Sequence, residues 1–318
     1  MKKFLPFALL LLLGSCKKDL LHWQKVQRIN THTAYRLNHI HFTDANTCLI
    51  GGGEIFNQAI VLRSADGGFT WVLDSFPQVG KAMFGLGTAP GGAIYMCGVD
   101  GTVLHTADTG KTWQFDRIND WQHYVGVSYA TPDTGVYVST VLQRQCTITE
   151  VDNQFNIISS HTWLFGLNDV YMTSPSTGYV IGYGAVMKTT DHRKTWNFQD
   201  VKGDNFTAMD IHGDEIWMCG ANGSIYHTTD GGGKWHTMRN GNDITIPHFV
   251  LYSIVFKDSQ HGWACGDDGK VIYTDDGGSH WMEYDQFTTA ALRSIVLCPN
   301  GDLLTAGDNG QMFRITPL

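Results

Sequence analysis

The chain has 318 residues, of which 42% are hydrophobic and 16% are charged, and its formal net charge is −8. This composition permits a large buried core. After the first fifteen residues, basic side chains form no run beyond the pair Lys17 and Lys18, which argues against nucleic acid as a partner. The acidic balance also argues against adhesion to anionic lipid headgroups.

The chain begins with a pattern typical of an exported protein. Lys2 and Lys3 precede ten mainly apolar residues, 4–13, a run too short to span a bilayer. The run ends in Leu-Gly-Ser-Cys at Cys16, which resembles a bacterial lipobox. We therefore expect residues 1–15 to be a lipoprotein signal peptide and Cys16 to carry the lipid. An ordinary signal peptide followed by a chance cysteine is the alternative.

Residues 16–22 would then form a lipidated tether ahead of a single domain, residues 23–318. The sequence Lys-Lys-Asp directly after Cys16 resembles the start of surface-exported lipoproteins of the Bacteroidetes type. We therefore expect an outer-membrane lipoprotein, and the pattern leaves open whether it faces the periplasm or the cell surface.

A short box recurs about every forty residues and predicts a repeat fold. Its first copy is Ser64-Ala-Asp66-Gly-Gly-Phe-Thr-Trp71. The aspartate can accept hydrogen bonds from backbone N–H groups of its own turn. The glycine can adopt a positive φ, and the tryptophan offers a large apolar surface for packing. We expect the boxes to be structural, and they are centred on Asp66, Asp108, Asp152, Asp191, Asp230 and Asp276. The Asp191 copy has Arg193 in place of glycine, and the Asp152 copy lacks both glycine and tryptophan.

The sixth unit shows four strands, at residues 251–256, 262–266, 270–274 and 281–284. The seventh unit stops before its box, and residues 23–29 can supply the strand that it lacks. The sequence thus predicts an all-β, seven-bladed propeller of four-stranded antiparallel blades, closed by pairing of its terminal strands. Apolar residues recur three positions apart on every innermost strand: Leu37, Met83, Tyr124, Leu167, Phe206, Leu251 and Leu292, then Ile40, Leu86, Val127, Val170, Met209, Ile254 and Ile295.

The cysteines favour packing over chemistry. Cys97, Cys219 and Cys265 occupy one repeat position in three blades, each before a glycine, so we expect small buried side chains. No CxxC pair occurs, and we predict neither a disulfide nor a cofactor. His39 and His41 could begin a metal site, but no third ligand is placed by the sequence, so we expect no metal.

The unit Gly262-Trp-Ala-Cys-Gly266, then a hairpin, then Thr274-Asp-Asp-Gly-Gly-Ser-His-Trp281 resembles the repeat of the photosystem II stability/assembly factor propellers. It is more distantly similar to sortilin-type and bacterial-neuraminidase repeats. The resemblance covers essentially the whole chain after the signal peptide. It implies a non-enzymatic scaffold that holds membrane-protein intermediates, partly through a basic patch near the ring axis.

Five residues are candidates for partner contacts at that face. Ring closure would make the blades of Arg36 and Arg293 neighbours, and His123 sits at the slot equivalent to Arg36. Exposed aromatic and arginine side chains are typical anchors, which adds Trp121 and Trp163, although both could pack between blades. The basic patch is thin here, so we expect an envelope protein or assembly intermediate as partner, and the resemblance does not imply a photosystem.

The alternative is a carbohydrate-active lipoprotein that binds or cleaves glycans. Asp169 and Asp210 lie on innermost strands of neighbouring blades and could form the carboxylate pair of a glycoside hydrolase, or simply bind water in the channel. A sialidase is disfavoured because its arginine triad is lacking, and only Arg314-Ile-Thr approaches the Arg-Ile-Pro motif. We expect no enzymatic activity.

Overall fold

The computed structural model describes residues 20–140, 145–201 and 203–317. In these ranges the chain forms 28 strands arranged as seven four-stranded sheets, with three single-turn 3₁₀ segments at Val99–Gly101, Asp267–Gly269 and Asp308–Gly310. The predicted signal peptide and Cys16 lie outside the described residues. No helix in the described ranges is long and apolar enough to cross a membrane.

The blades follow the chain in order, and each strand pairs antiparallel with the next. Blade 1 contains β2 (Arg36–Phe42), β3 (Cys48–Glu54), β4 (Gln58–Ser64) and β5 (Val72–Phe76). Blade 2 contains β6 (Met83–Thr88), β7 (Ile94–Gly98), β8 (Thr102–Thr106) and β9 (Gln114–Arg117). Blade 3 contains β10 (Tyr124–Thr131), β11 (Thr134–Ser139), β12 (Cys146–Asp152) and β13 (Ile157–Trp163). Blade 4 contains β14 (Leu167–Met172), β15 (Gly178–Gly182), β16 (Ala185–Thr189) and β17 (Asn197–Phe198).

The remaining blades complete the circle. Blade 5 contains β18 (Phe206–His212), β19 (Glu215–Gly220), β20 (Ile225–Thr228) and β21 (His236–Arg239). Blade 6 contains β22 (Leu251–Phe256), β23 (Gly262–Gly266), β24 (Val271–Thr274) and β25 (Met282–Glu283). Blade 7 contains β26 (Leu292–Leu297), β27 (Leu303–Gly307), β28 (Met312–Thr316) and, as its outermost strand, β1 (Lys25–Ile29).

The ring closes as the sequence predicts. β1 runs antiparallel to β28, with Lys25 opposite Thr316 and Ile29 opposite Met312. Each innermost strand contacts the innermost strand of the next blade, and β26 contacts β2. The prediction of a seven-bladed, all-β propeller closed by its terminal strands is confirmed.

The core lies between adjacent blades. All fourteen apolar positions predicted on the innermost strands are buried, and Leu37 and Tyr124 have no exposed surface. Cys97, Cys219 and Cys265 are fully buried free thiols, which agrees with the expectation of small packing residues. The hydrophobic clusters join adjacent blades: Leu37 and Ile40 of blade 1, for example, pack with Leu304 of blade 7.

The boxes form the turn between the third and fourth strands of a blade, at the end of the ring opposite the start of the innermost strands. Asp66 accepts hydrogen bonds from the N–H groups of Phe69 and Thr70, both at 2.9 Å, and from the Thr70 hydroxyl at 2.6 Å. Asp152 keeps this turn in its worn copy by accepting from the N–H groups of Gln154 and Asn156. The carboxylate thus replaces the missing backbone acceptors of a tight turn.

Candidate binding face at the channel mouth

Every innermost strand carries a β-bulge directly after its first buried apolar residue, at the equivalent position in all seven blades. A bulge inserts one extra residue and redirects its side chain. The extra residues line one mouth of the axial channel, a cavity of about 450 Å³. They are Asn38, Phe84, Val125, Asn168, Thr207, Tyr252 and Arg293.

Three of these bulge residues bind the neighbouring blade. The amide of Asn38 donates to the carbonyl of Met83 at 2.7 Å, and Asn168 donates to the carbonyl of Phe206 at 2.6 Å. The Thr207 hydroxyl donates to the carbonyl of Leu251 at 2.6 Å. These side chains hold the mouth rigid, which leaves Phe84, Val125, Tyr252 and Arg293 as the bulge residues with surface to offer a partner.

The structure brings Arg36 and Arg293 together, as ring closure predicts. Both donate to Asp308 in the hairpin between β27 and β28: Arg36 through Nε at 3.0 Å, and Arg293 through Nε at 3.0 Å and Nη2 at 2.8 Å. Burial opposes ionisation of Asp308, but its bonds to Arg293 and the charges of both arginines lower its pKa. Two cations therefore share one anion at the mouth.

The two arginines differ in what they have left to donate. The Arg293 side chain is 19% exposed, and its guanidinium lies 4.1 Å from the ring centroid of Tyr252. The Tyr252 hydroxyl in turn donates to Asp267 at 2.9 Å. The Arg36 side chain is 40% exposed, and Nε makes its one hydrogen bond among the described residues. Arg36 is the arginine that can bind a partner without dismantling the mouth.

The other three predicted partner contacts, His123, Trp121 and Trp163, do not line the channel mouth. His123 packs against the ring of Phe84, with 4.7 Å between the ring centroids, and its side chain is buried and not presented to solvent. Burial also lowers the pKa of His123. Trp121 is exposed in the connection before β10 and lies 4.8 Å from the Arg117 guanidinium. Trp163 ends β13 and packs against Phe165 and Phe198, so it serves packing between blades 3 and 4.

The channel behind the mouth is polar, with a volume of about 400 Å³, and Asp169 and Asp210 both line it. Burial raises the pKa of Asp169 to about 7, and its Oδ1 accepts from the Val170 N–H. Asp210 accepts from the Phe256 N–H of blade 6 at 2.6 Å and pairs with His212. Asp210 therefore joins blade 5 to blade 6 through a hydrogen bond. Asp169 of blade 4 lies against Gly126 of blade 3.

His39 and His41 also line the channel. Burial, with a contribution from His41, lowers the pKa of His39 to about 4, and burial lowers the pKa of His41. His41 pairs with the Thr88 hydroxyl at 2.8 Å. No group of three metal-ligating side chains occurs within the described ranges.

Basic residues in or beside the box strands join neighbouring blades. On three third strands a basic side chain donates to a carbonyl in the next blade's box: Arg63 to Thr109, Lys188 to Gly231 and Arg314 to Gly67. Between blades 3 and 4 the basic side chain belongs to the box and its acceptor to the third strand: Arg193 of the Asp191 box binds Glu150 on β12 at 2.6 Å. This explains the arginine at a position where other boxes have glycine.

Comparisons with known proteins agree with this architecture. Residues 150–247 match the family described as photosynthesis system II assembly factor YCF48. The photosystem II assembly lipoprotein Ycf48 of Synechococcus sp. (strain CC9902) is 33% identical over 73 residues, which cover 21% of this chain and 22% of that protein. The matched region therefore spans about a fifth of that curated relative.

Solved structures extend the likeness to nearly the whole ring. YCF48 bound to D1 peptide has a TM-score of 0.70 at 12% identity, covering 94% of this chain and 99% of that chain. YCF48 from Cyanidioschyzon merolae has a TM-score of 0.70 at 14% identity, covering 91% and 98%. The WD40 propeller domain of Doa1 has a TM-score of 0.66 at 10% identity, covering 91% and 95%. At such identities the likeness shows the fold alone.

The matching family and the curated relative are both described by a role in photosystem II assembly, in agreement with the expectation of a non-enzymatic chain. The predicted resemblance to the photosystem II assembly-factor propellers is therefore confirmed, by sequence over residues 150–247 and by fold around the ring.

Proposed function

We propose that this chain is a non-enzymatic binding scaffold of the bacterial cell envelope, which recognises a protein partner or assembly intermediate through the channel mouth. The observation that carries the proposal is the shared pairing of Arg36 and Arg293 with Asp308 across the closure between blades 7 and 1. It places an exposed guanidinium with free donors on a rigid rim.

The chemistry of the mouth suits a polypeptide that offers a carboxylate. Arginine binds carboxylates with two parallel N–H donors, and Arg36 has its two terminal nitrogens free for this among the described residues. Phe84 and Val125 provide apolar surface on the same mouth. Since bulges and inter-blade hydrogen bonds fix these positions before binding, little ordering entropy is lost on association. The solved complex of YCF48 with D1 peptide supports a polypeptide ligand for this type of propeller.

The lipid anchor belongs to the same proposal. Cys16 would carry the lipid and hold the ring at the outer membrane, and the curated relative is likewise named a lipoprotein. Leu20 is the first described residue, so about four residues, or roughly 14 Å at full extension, would separate it from Cys16. Replacing Cys16 by alanine should move the protein from the membrane to the soluble fraction, whereas equal membrane retention would contradict the anchor.

The carbohydrate-active alternative gains no support from the geometry. A glycosidase needs one carboxyl to act as acid and the other as base or nucleophile on a shared substrate. Asp210 is already bonded to a backbone N–H and to His212, while Asp169 lies against blade 3. We therefore retain glycan binding only as an outcome of the partner test.

The test is crosslinking in cells that express the full chain, followed by purification in mild detergent. The variants are Arg36→Glu, Arg293→Glu and, as a charge-matched control, Arg28→Glu on the exposed edge strand β1. We expect the parent chain to co-purify with a protein partner in a stoichiometric amount. The amount of partner recovered should fall at least tenfold with Arg36→Glu and should not change with Arg28→Glu. Thermal melting identifies any loss due to unfolding in Arg293→Glu.

Two results would overturn the proposal: no protein partner in the parent chain, or full retention in a folded Arg36→Glu variant. In the first case, binding of the parent chain to a glycan panel, lost in Asp169→Asn and Asp210→Asn, would favour the carbohydrate hypothesis.

A further inference from the structure

The outermost strand of blade 3 differs chemically from the other six blade edges. β13, Ile157–Trp163, has the sequence Ile-Ile-Ser-Ser-His-Thr-Trp and contains no Asp, Glu, Lys or Arg. Five other edges carry such a charge, as in Asp74 on β5 or Lys25 on β1. The sixth, β17, is two residues long. Charges and short strands are the usual protection of a sheet edge, so β13 is the edge that lacks both.

The backbone of β13 is open on its outer side. It pairs with β12 from Trp163 opposite Cys146 to Ser159 opposite Glu150, and a bulge at Ile158 precedes a last pair, Ile157 with Val151. In an antiparallel ladder about half of the N–H and C=O groups of an edge strand point away from its neighbour. In the part of the chain that the structure describes, no other group binds these outward amides and carbonyls between Ile157 and Trp163.

Apolar side chains border this edge at both ends. Ile157 and Ile158 are 44% and 56% exposed at the start of β13. Beyond its end, Leu164 is 81% exposed, and Phe198 is 58% exposed while its ring contacts Trp163 at 5.5 Å. An extended segment lying along β13 could therefore bury apolar side chains where it meets either end.

The long edge strand of blade 3 follows the box that has lost most of its motif residues. The box of blade 3, centred on Asp152, lacks both the glycine and the tryptophan found in the boxes of blades 1, 2, 5 and 6. Both β12 and β13 are seven residues long. The fourth strands of blades 4 and 6, whose boxes keep tryptophan, have two residues. Weakening of the box motif thus coincides with the longest fourth strand in the described ring.

We propose that β13 is a docking edge to which an uncharged, extended, apolar segment of a partner protein adds as a fifth strand of blade 3. Main-chain hydrogen bonds supply affinity in this mode, and alternate side chains supply specificity. The absence of charge selects the occupant, because a charged segment would place its charges beside Ile157, Ile158 and Trp163. The edge lies on the perimeter of the ring, so this contact is separate from the channel mouth and does not depend on it.

The experiment uses the full chain and a defined probe, an acetylated and amidated peptide Ser-Val-Thr-Ile-Thr-Val-Ser. Two further peptides of the same sequence carry N-methyl groups on alternate amides, one peptide for each of the two registers. We expect the first peptide to slow hydrogen exchange of residues 157–163 at least tenfold. N-methylation in the register that faces β13 should weaken binding at least tenfold, since it removes several backbone hydrogen bonds. The other register should have little effect.

Two matched variants locate the binding edge. Ser160→Lys places a charge on β13, and Ser75→Lys places the same charge on the edge strand of blade 1, where the serine is also exposed. We expect Ser160→Lys to abolish peptide binding, whereas Ser75→Lys and Arg36→Glu should leave peptide binding unchanged. The comparison of the two N-methylated peptides needs no variant and so remains decisive if Ser160→Lys unfolds.

The proposal is overturned if both N-methyl registers bind like the parent peptide, if a folded Ser160→Lys variant retains binding, or if exchange slows at β5 instead. It is also overturned if residues 157–163 become protected with rising protein concentration alone, because β13 would then pair with a second copy of this chain.

Discussion

Arg314 links the last blade to the first, and its removal should loosen ring closure. Its side chain is 6% exposed and lies on β28. Nη1 pairs with Asp302 at 3.2 Å, Nη2 donates to the Gly67 carbonyl of box 1 at 2.5 Å, and the guanidinium lies 4.0 Å from the ring centroid of Phe69. One side chain thus joins blade 7 to the box of blade 1.

The cost of Arg314→Ala follows from these contacts. Removing one partner of a buried ion pair typically costs about 3–5 kcal/mol, since the other charge stays buried. Asp302 is 15% exposed and keeps hydrogen bonds from Asn300 and Thr316, so we expect the lower end, about 3 kcal/mol. Loss of the stacking on Phe69 acts in the same direction.

Urea unfolding of the full chain measures this loss, with Arg28→Ala on β1 as the exposed control. The control should stay within about 0.5 kcal/mol of the parent chain. A double-mutant cycle with Asp302→Asn should show that the two losses are not additive, because the residues share one interaction. A loss below about 1 kcal/mol for Arg314→Ala would refute a role in closing the ring, because it would fall in the range of an ordinary surface contact.

Three further predictions address packing, acid stability and the thiols. Gly87→Ala should lower stability by about 1–3 kcal/mol in thermal melts, since its Cβ would lie 2.6 Å from the Val127 carbonyl of the next blade; an unchanged melting temperature would contradict this close approach. Hydrogen bonds from the side chain and backbone of Thr195 lower the pKa of Asp191 to about 2, so its stabilisation is complete above the unfolded value of about 3.9 and is lost as pH falls through 2. Asp191→Asn should therefore reduce the fall in urea midpoint between pH 5 and pH 2, and an identical pH profile would contradict the assignment. Burial raises the pKa of Cys219 to about 12, so the native thiol should resist a disulfide reagent at pH 8 and react in urea; rapid native labelling would contradict its burial.

The fold could be predicted from the sequence because its determinants repeat. The box spacing gives the number of blades, and the paired apolar positions identify each innermost strand. In blade 6 the observed β22 and β23 have the predicted bounds, residues 251–256 and 262–266. The terminal strand, predicted at residues 23–29, is observed at Lys25–Ile29.

The candidate site was only partly predictable, because bulges and ion pairs depend on distant residues. The sequence predicts that Arg36 and Arg293 share a face, but not that Asp308 joins them, since Asp-Asn-Gly is typical of a hairpin turn alone. The bulge residues could not be identified from the alternation of side chains along a strand, because each bulge inserts a residue that interrupts this alternation. His123 occupies the slot equivalent to Arg36, yet packing against Phe84 buries it.

The basic residues between blades were missed for a related reason. Arg63, Arg193 and Arg314 lie in or beside box strands, and each of them also bonds to a group in an adjacent blade. Their acceptors belong to the adjacent blade, about forty residues away or at the opposite end of the chain. Spacing within one repeat cannot show such a contact.

The most direct test of the central claim is hydrogen exchange of the full chain with and without its co-purified partner. Recognition through the channel mouth predicts protection in the segments around Arg36, Tyr252 and Asp308, and none at the box turns on the opposite end of the ring. Protection confined to the box turns, or an unprotected mouth in a stoichiometric complex, would contradict recognition through the channel mouth.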